Sequence, residues 1–202
     1  MRWRILGAVP AVRFVDEQPF GFGWIHPKPA FAQRTSHALA AEGGVWIFDP
    51  TDVEGLDERV HALGSPAGVI QLLDRHNRDC ATVARRLGVP HHRLELGETP
   101  FEALPLSRHE LAVWWPSQHL LLVPETVGTA VQYRTPGERL GVHPFLRLAP
   151  PKALLAYEAE HLLVGHGPGL HGPQATRELH RAVRQSRLRA PLLPLILLPH
   201  RA

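Results

Sequence analysis

The chain has 202 residues, 44% of them hydrophobic and 20% charged, which suits a globular protein with one core and indicates neither a disordered nor a fibrous class. The formal net charge of +3, from 22 Lys and Arg against 19 Asp and Glu, is too small a bias to argue for nucleic acid. Cys80 is the single cysteine, so no intrachain disulfide forms. The apolar stretch before Pro10 is too short for a signal peptide, and no apolar run nears the roughly 20 residues of a membrane span. The expectation is a soluble, cytoplasmic, single domain covering residues 1–202.

Apolar-rich stretches at 5–9, 20–25, 37–41 and 45–48 are separated by Pro, Gly and polar residues, as in a run of short strands, with Gly43-Gly44 as a hairpin turn. Val53, Leu56, Val60 and Leu63 then recur at helical spacing and stop at Gly64, predicting a helix. A buried strand follows at 68–73 and a helix at 82–87, closed by Gly88. Residues 111–115 and 119–123 flank the turn-forming Pro116-Ser117. A short helix near 152–160, a strand at 162–164 and a long helix over 173–188 complete the pattern. Trp114-Trp115 reads as a strand pair with one ring in the core and one at the surface. His91 and His92, adjacent on a strand, face opposite sides and cannot easily reach one site. Arg177, Arg181, Arg184 and Arg187 form a basic stripe on the last helix, read as a solvated face. The alternation of strands and helices predicts an α/β class, an αββα sandwich of two mixed sheets flanked by helices.

Four strand ends deliver polar side chains into loops, where layered α/β proteins build sites. They are Phe48-Asp49-Pro50, the cluster Asp74-Arg75-His76-Asn77-Arg78-Asp79-Cys80, Val123-Pro124-Glu125-Thr126, and Val164-Gly165-His166-Gly167-Pro168. In this order they resemble the metallo-β-lactamase superfamily, over roughly residues 44–183. Members carry an aspartate after an early strand, an HxHxDH metal loop, a later metal-bridging aspartate and a final loop histidine.

The resemblance implies a metal-dependent hydrolase, but the metal loop is altered. With Asp79 on the family aspartate, Arg75 and Asn77 stand where the first two histidines belong, and a guanidinium cannot ligate zinc. His109 is near the place of the third ligand but lacks its usual context. The second metal position is better kept: Asp79, Cys80 and His166 align with its ligands and Glu125 with the bridging aspartate. Those four would make an acceptable tetrahedral set for at most one zinc ion, which would activate water and polarise a substrate oxygen if one position stayed open. Asp79 and His76 are the acid–base candidates, and Asp49 is expected to brace the loop through hydrogen bonds.

Each residue also has a plainer role. Cys80 suits a small buried position, Asp79 a helix cap, Glu125 an ordinary loop acid, and the glycines around His166 loop shape alone. Two functions therefore stand side by side. One is hydrolysis of an ester, thioester or phosphoester small-molecule substrate. The other is a catalytically silent binding or interaction module, with Arg75 and Arg78 in the vacated metal space receiving an anionic ligand.

Overall fold

The computed structural model describes residues 11–28, 32–75 and 79–194. The first sheet contains, in spatial as in chain order, β1 (Arg13–Gln18), β2 (Gly21–Ile25), β3 (Thr35–Ala41), β4 (Gly44–Phe48), β5 (Pro66–Gln71) and β6 (His91–Arg93). β1 to β4 run antiparallel, and β4, β5 and β6 are parallel neighbours. The two parallel crossovers carry α1 (Leu56–Leu63) and α2 (Cys80–Leu87), as parallel pairing requires.

The second half contributes β7 (Glu102–Ser107), β8 (Glu110–Trp115), β9 (Leu120–Val123), a short ribbon of β10 (Val127–Gly128) with β11 (Gly141–Val142), then β12 (His161–Val164), β13 (Leu170–His171) and α3 (Gln174–Arg189). The second sheet runs β13-β12-β9-β8-β7, with β9 and β12 parallel and the other pairs antiparallel. Both sheets are therefore mixed, with helices outside them.

Side-chain alternation sorts the core into three layers. Trp46, Phe48 and Ile70 face inward and meet Leu111, Val113, Trp115, Leu120 and Leu122 of the other sheet. Val45, Ile47 and Val69 face outward onto Leu56, Val60, Val83 and Ala84 of the first two helices. Leu121, Val123, Leu162 and Val164 lie under Leu179, Ala182 and Val183 of α3. Strands buried on both faces need unbroken apolar sequence, which explains the runs at 45–48 and 120–123.

Several sequence expectations change. The helix expected at 152–160 is a 3-10 turn over Lys152–Ala156. Trp114 is not a surface ring: it packs edge-on against Tyr157 in the α3 layer while Trp115 fills the inter-sheet core. Strands β1 and β7 join the sheets without having been read as strands. The expected strand at 5–9 lies outside the described residues.

The parallel pairs bring four strand ends to one edge. Arg34, just before β3 and so beside the end of β4, bridges His166 after β12, and Thr35 N donates to Gly165 O at 2.8 Å. Leu73, after β5, bridges Glu110, and Leu111 N donates to Leu72 O at 2.9 Å. The ends of β4, β5, β9 and β12 thus lie along a common rim of the sandwich.

Candidate functional site

Glu125 and His166 meet at that rim, with Glu125 Oε2 2.9 Å from His166 Nε2. Each is fixed from below. Glu110, 2% exposed at the start of β8, accepts from Glu125 N (3.0 Å), Thr126 N (2.8 Å) and Thr126 Oγ1 (2.7 Å). Burial pushes the Glu110 carboxyl above its ordinary range, the Glu125 charge adds to this, and the three hydrogen bonds pull the other way.

His166 is held by its glycine neighbours. A Cβ on Gly165 would stand 2.0 Å from Pro124 O, and Gly167 has φ +89° with its Cβ position 2.4 Å from Thr129 Oγ1. Only glycine lets the loop lie this close to the β9 end. His166 O then accepts from Thr129 N and Ala130 N, and Gly167 N donates to Gln33 O. Loop shape is thus one established reason for these glycines.

Around the pair stand two residues that sequence reasoning missed. His143 Nε2 lies 3.4 Å from Glu125 Oε1, and its Nδ1 accepts from Phe145 N at 3.3 Å. Tyr133 stacks on the His166 ring with centroids 5.1 Å apart and meets His143 edge-on at 5.5 Å. The one trace in the sequence is a histidine directly after Gly141-Val142, a strand of two residues and so too short to show a pattern. A buried ion pair anchors this segment: Arg147, fully buried, donates to Glu138 Oε1 at 3.0 Å and Oε2 at 2.6 Å, and to Tyr133 O.

Both ring nitrogens of His166 address acceptors: Nδ1 faces Ala32 O at 3.0 Å and Nε2 faces the Glu125 carboxylate at 2.9 Å.

The remaining candidates have other partners. Asp79 occupies the N-cap position of α2, but its Oδ2 accepts from Asp52 N at 2.8 Å in the loop after β4. Cys80, 1% exposed, belongs to the layer of Val69, Val83 and Ala84 between the first sheet and its helices. Asp49 braces the rim as expected: its Oδ1 accepts from Leu72 N at 2.9 Å, tying the ends of β4 and β5 together. His109 pairs with Asp74 at 2.9 Å, and Arg75 is exposed. His76, Asn77 and Arg78 lie outside the described residues. Among the described residues no group of three or more His, Cys, Asp or Glu side chains is disposed to hold a metal ion. Of the four expected zinc ligands, Glu125 and His166 stand against each other, Asp79 accepts from Asp52 N, and Cys80 lies in the apolar layer under the first two helices.

No protein-family model matches the sequence, and no curated protein matches it. Solved structures do. The chain is similar to DIM-1 metallo-β-lactamase in a crystal exposed to ceftazidime, at TM-score 0.57 and 14% identity over 88% of this chain and 99% of that one. A metallo-β-lactamase from Pontibacter korlensis gives 0.56 and 13% over 86% and 99%, and one from Hirschia baltica 0.55 and 10% over 85% and 97%. The chain has the metallo-β-lactamase fold. No helix among the described residues is long and apolar enough to cross a membrane.

Proposed function

We propose that this chain is a binding module for a small anionic molecule, built on a hydrolase fold whose former metal centre has become an internal brace. The observation that carries this reading is the closure of both Glu125 oxygens by His143 and His166, at 3.4 and 2.9 Å. The contact between imidazole and carboxylate fills the place a metal would otherwise take. The pair then holds the loops of Thr129 to Tyr133 and Gly165 to Pro168 in place, and those loops present the binding surface.

A second reading is a hydrolase with one zinc on Asp79, Cys80, Glu125 and His166, and with Asp79 and His76 in acid–base roles. It is favoured by one contact: metal-bound histidines commonly donate their other ring N–H to a backbone carbonyl, as His166 Nδ1 does to Ala32 O. A screen of ester, thioester and phosphoester substrates on native protein and His166→Ala separates the two. The binding reading expects no turnover above the variant's background. Turnover abolished by His166→Ala would contradict it.

A further inference from the structure

We propose that the hollow beside the His166 loop binds the phosphate group of a small phosphorylated molecule through Arg13, Arg134 and Arg139. This rests on the binding-module reading and names its ligand class. The hollow, about 370 Å³, is lined by these three arginines together with Gln33, Thr129 and Gly169. Its walls are the braced loops, since Thr129 N donates to His166 O and Gly167 N to Gln33 O. A second hollow of about 300 Å³ shares Arg13 and Gln33 and adds His26 and Lys28. Together they give room for a phosphate and a sugar-sized body.

No Asp or Glu lines either hollow among the described residues, and none occurs in residues 1–10 or 29–31, next in sequence to this strip. The nearby Asp16 lies beneath Gly169 and is occupied: it accepts from Gly169 N at 2.8 Å and sits 3.2 Å from His171 Nε2 and 3.4 Å from His37 Nε2. The three arginines thus line the hollow with no carboxylate among the described lining residues. The buried Nε of Arg134 has no hydrogen-bond partner among the described residues, and buried donors are normally satisfied. Arg139 Nη1 donates to Gln174 Oε1 at 2.6 Å, which orients its planar fork. Forked guanidinium donors match the oxygens of a phosphate dianion in number and geometry. An oligonucleotide is the weaker candidate, because among the described residues no Phe, Tyr or Trp lines either hollow to stack a base.

The test is calorimetric titration of the full chain at low salt with inorganic phosphate, inorganic pyrophosphate and a short single-stranded oligonucleotide. The expected result is saturable one-site binding of phosphate and of pyrophosphate. Each should weaken by at least about tenfold in Arg134→Gln and in Arg13→Gln, and remain unchanged in Arg187→Gln on α3. Arg13 is exposed at the start of β1, so its variant tests the site even where Arg134→Gln fails to fold. Equal affinity in all three variants, or no saturation, overturns the site. Oligonucleotide bound more tightly than pyrophosphate overturns the small-molecule class. Turnover lost in His166→Ala together with arginine-dependent pyrophosphate binding would end the non-catalytic reading while supporting this site.

Discussion

Replacing Glu138 by Gln tests the anchor that holds Tyr133 and His143 at the rim. Arg147 is fully buried and the Glu138 side chain is 4% exposed, so the guanidinium has no water to fall back on when the carboxylate is neutralised. The carboxylate also accepts from Thr135 N at 2.6 Å and Thr135 Oγ1 at 2.8 Å. A glutamine offers one oxygen and turns an NH2 toward donors that need an acceptor. Breaking one side of a buried pair costs about 3–5 kcal/mol, whereas replacing both partners by apolar residues is often near neutral. Glu138→Gln should therefore lose about 3–5 kcal/mol in urea unfolding followed by tryptophan fluorescence, and Glu138→Leu with Arg147→Met should lose less. Burial alone would raise the Glu138 carboxyl, but Arg147 and the Thr135 hydrogen bonds outweigh it and hold it below its ordinary range. The pair's contribution is then full above the unfolded carboxyl value, about 4.3, and is lost as pH falls through that value toward the lower folded one. The deficit of the variant should shrink correspondingly in acid. A loss below about 1 kcal/mol, the size expected of an exposed pair, or a deficit unchanged in acid, would refute the reasoning.

Gly167→Ala should destabilise the fold by about 1–3 kcal/mol, since φ +89° and the 2.4 Å approach to Thr129 Oγ1 both oppose a side chain; full stability would show that the loop relaxes freely. Two groups at the β1–β13 side add to the acid response of the native protein. Burial would raise the Asp16 carboxyl, but hydrogen bonds from His171, His37 and Gly169 N hold it well below the usual range, so its contribution is lost as pH drops below the unfolded value of about 3.9. Burial, and then the His171 charge, lower the His161 imidazole, so the unfolded chain binds the extra proton first and stability begins to fall below about pH 6.5. Thermal melts should show Asp16→Asn with a diminished lower phase and with the upper phase intact; an upper phase lost along with it would tie both to one group and contradict the assignment.

The four rim strands were legible because β4, β5, β9 and β12 are buried on both faces and must be continuously apolar. β1 and β7 were not, for they are edge strands: Arg13–Gln18 is half-exposed and charged, and Glu102–Ser107 contains Pro105, tolerated where one side of a strand lacks a partner. Glu125 and His166 could be named from strand-end motifs alone. His143 and Tyr133 could not, because β11 has two residues and Tyr133 sits in a 3-10 turn, so neither carries a periodic signal. Cys80 was chemically ambiguous, as thiols both ligate metals and pack like small hydrophobes. Its spacing to Val83 and Ala84, three and four positions on, marks the buried stripe of α2 and was the signal for packing.

In the binding reading, the contact between Glu125 and His166 has taken the place of a metal. Elemental analysis of protein purified without added metal tests it most directly, on native chain, His166→Ala and Cys80→Ser. The account predicts zinc well below one per chain and equal in all three. About one zinc per native chain, lost in His166→Ala and reduced in Cys80→Ser, would contradict it and restore the one-zinc hydrolase.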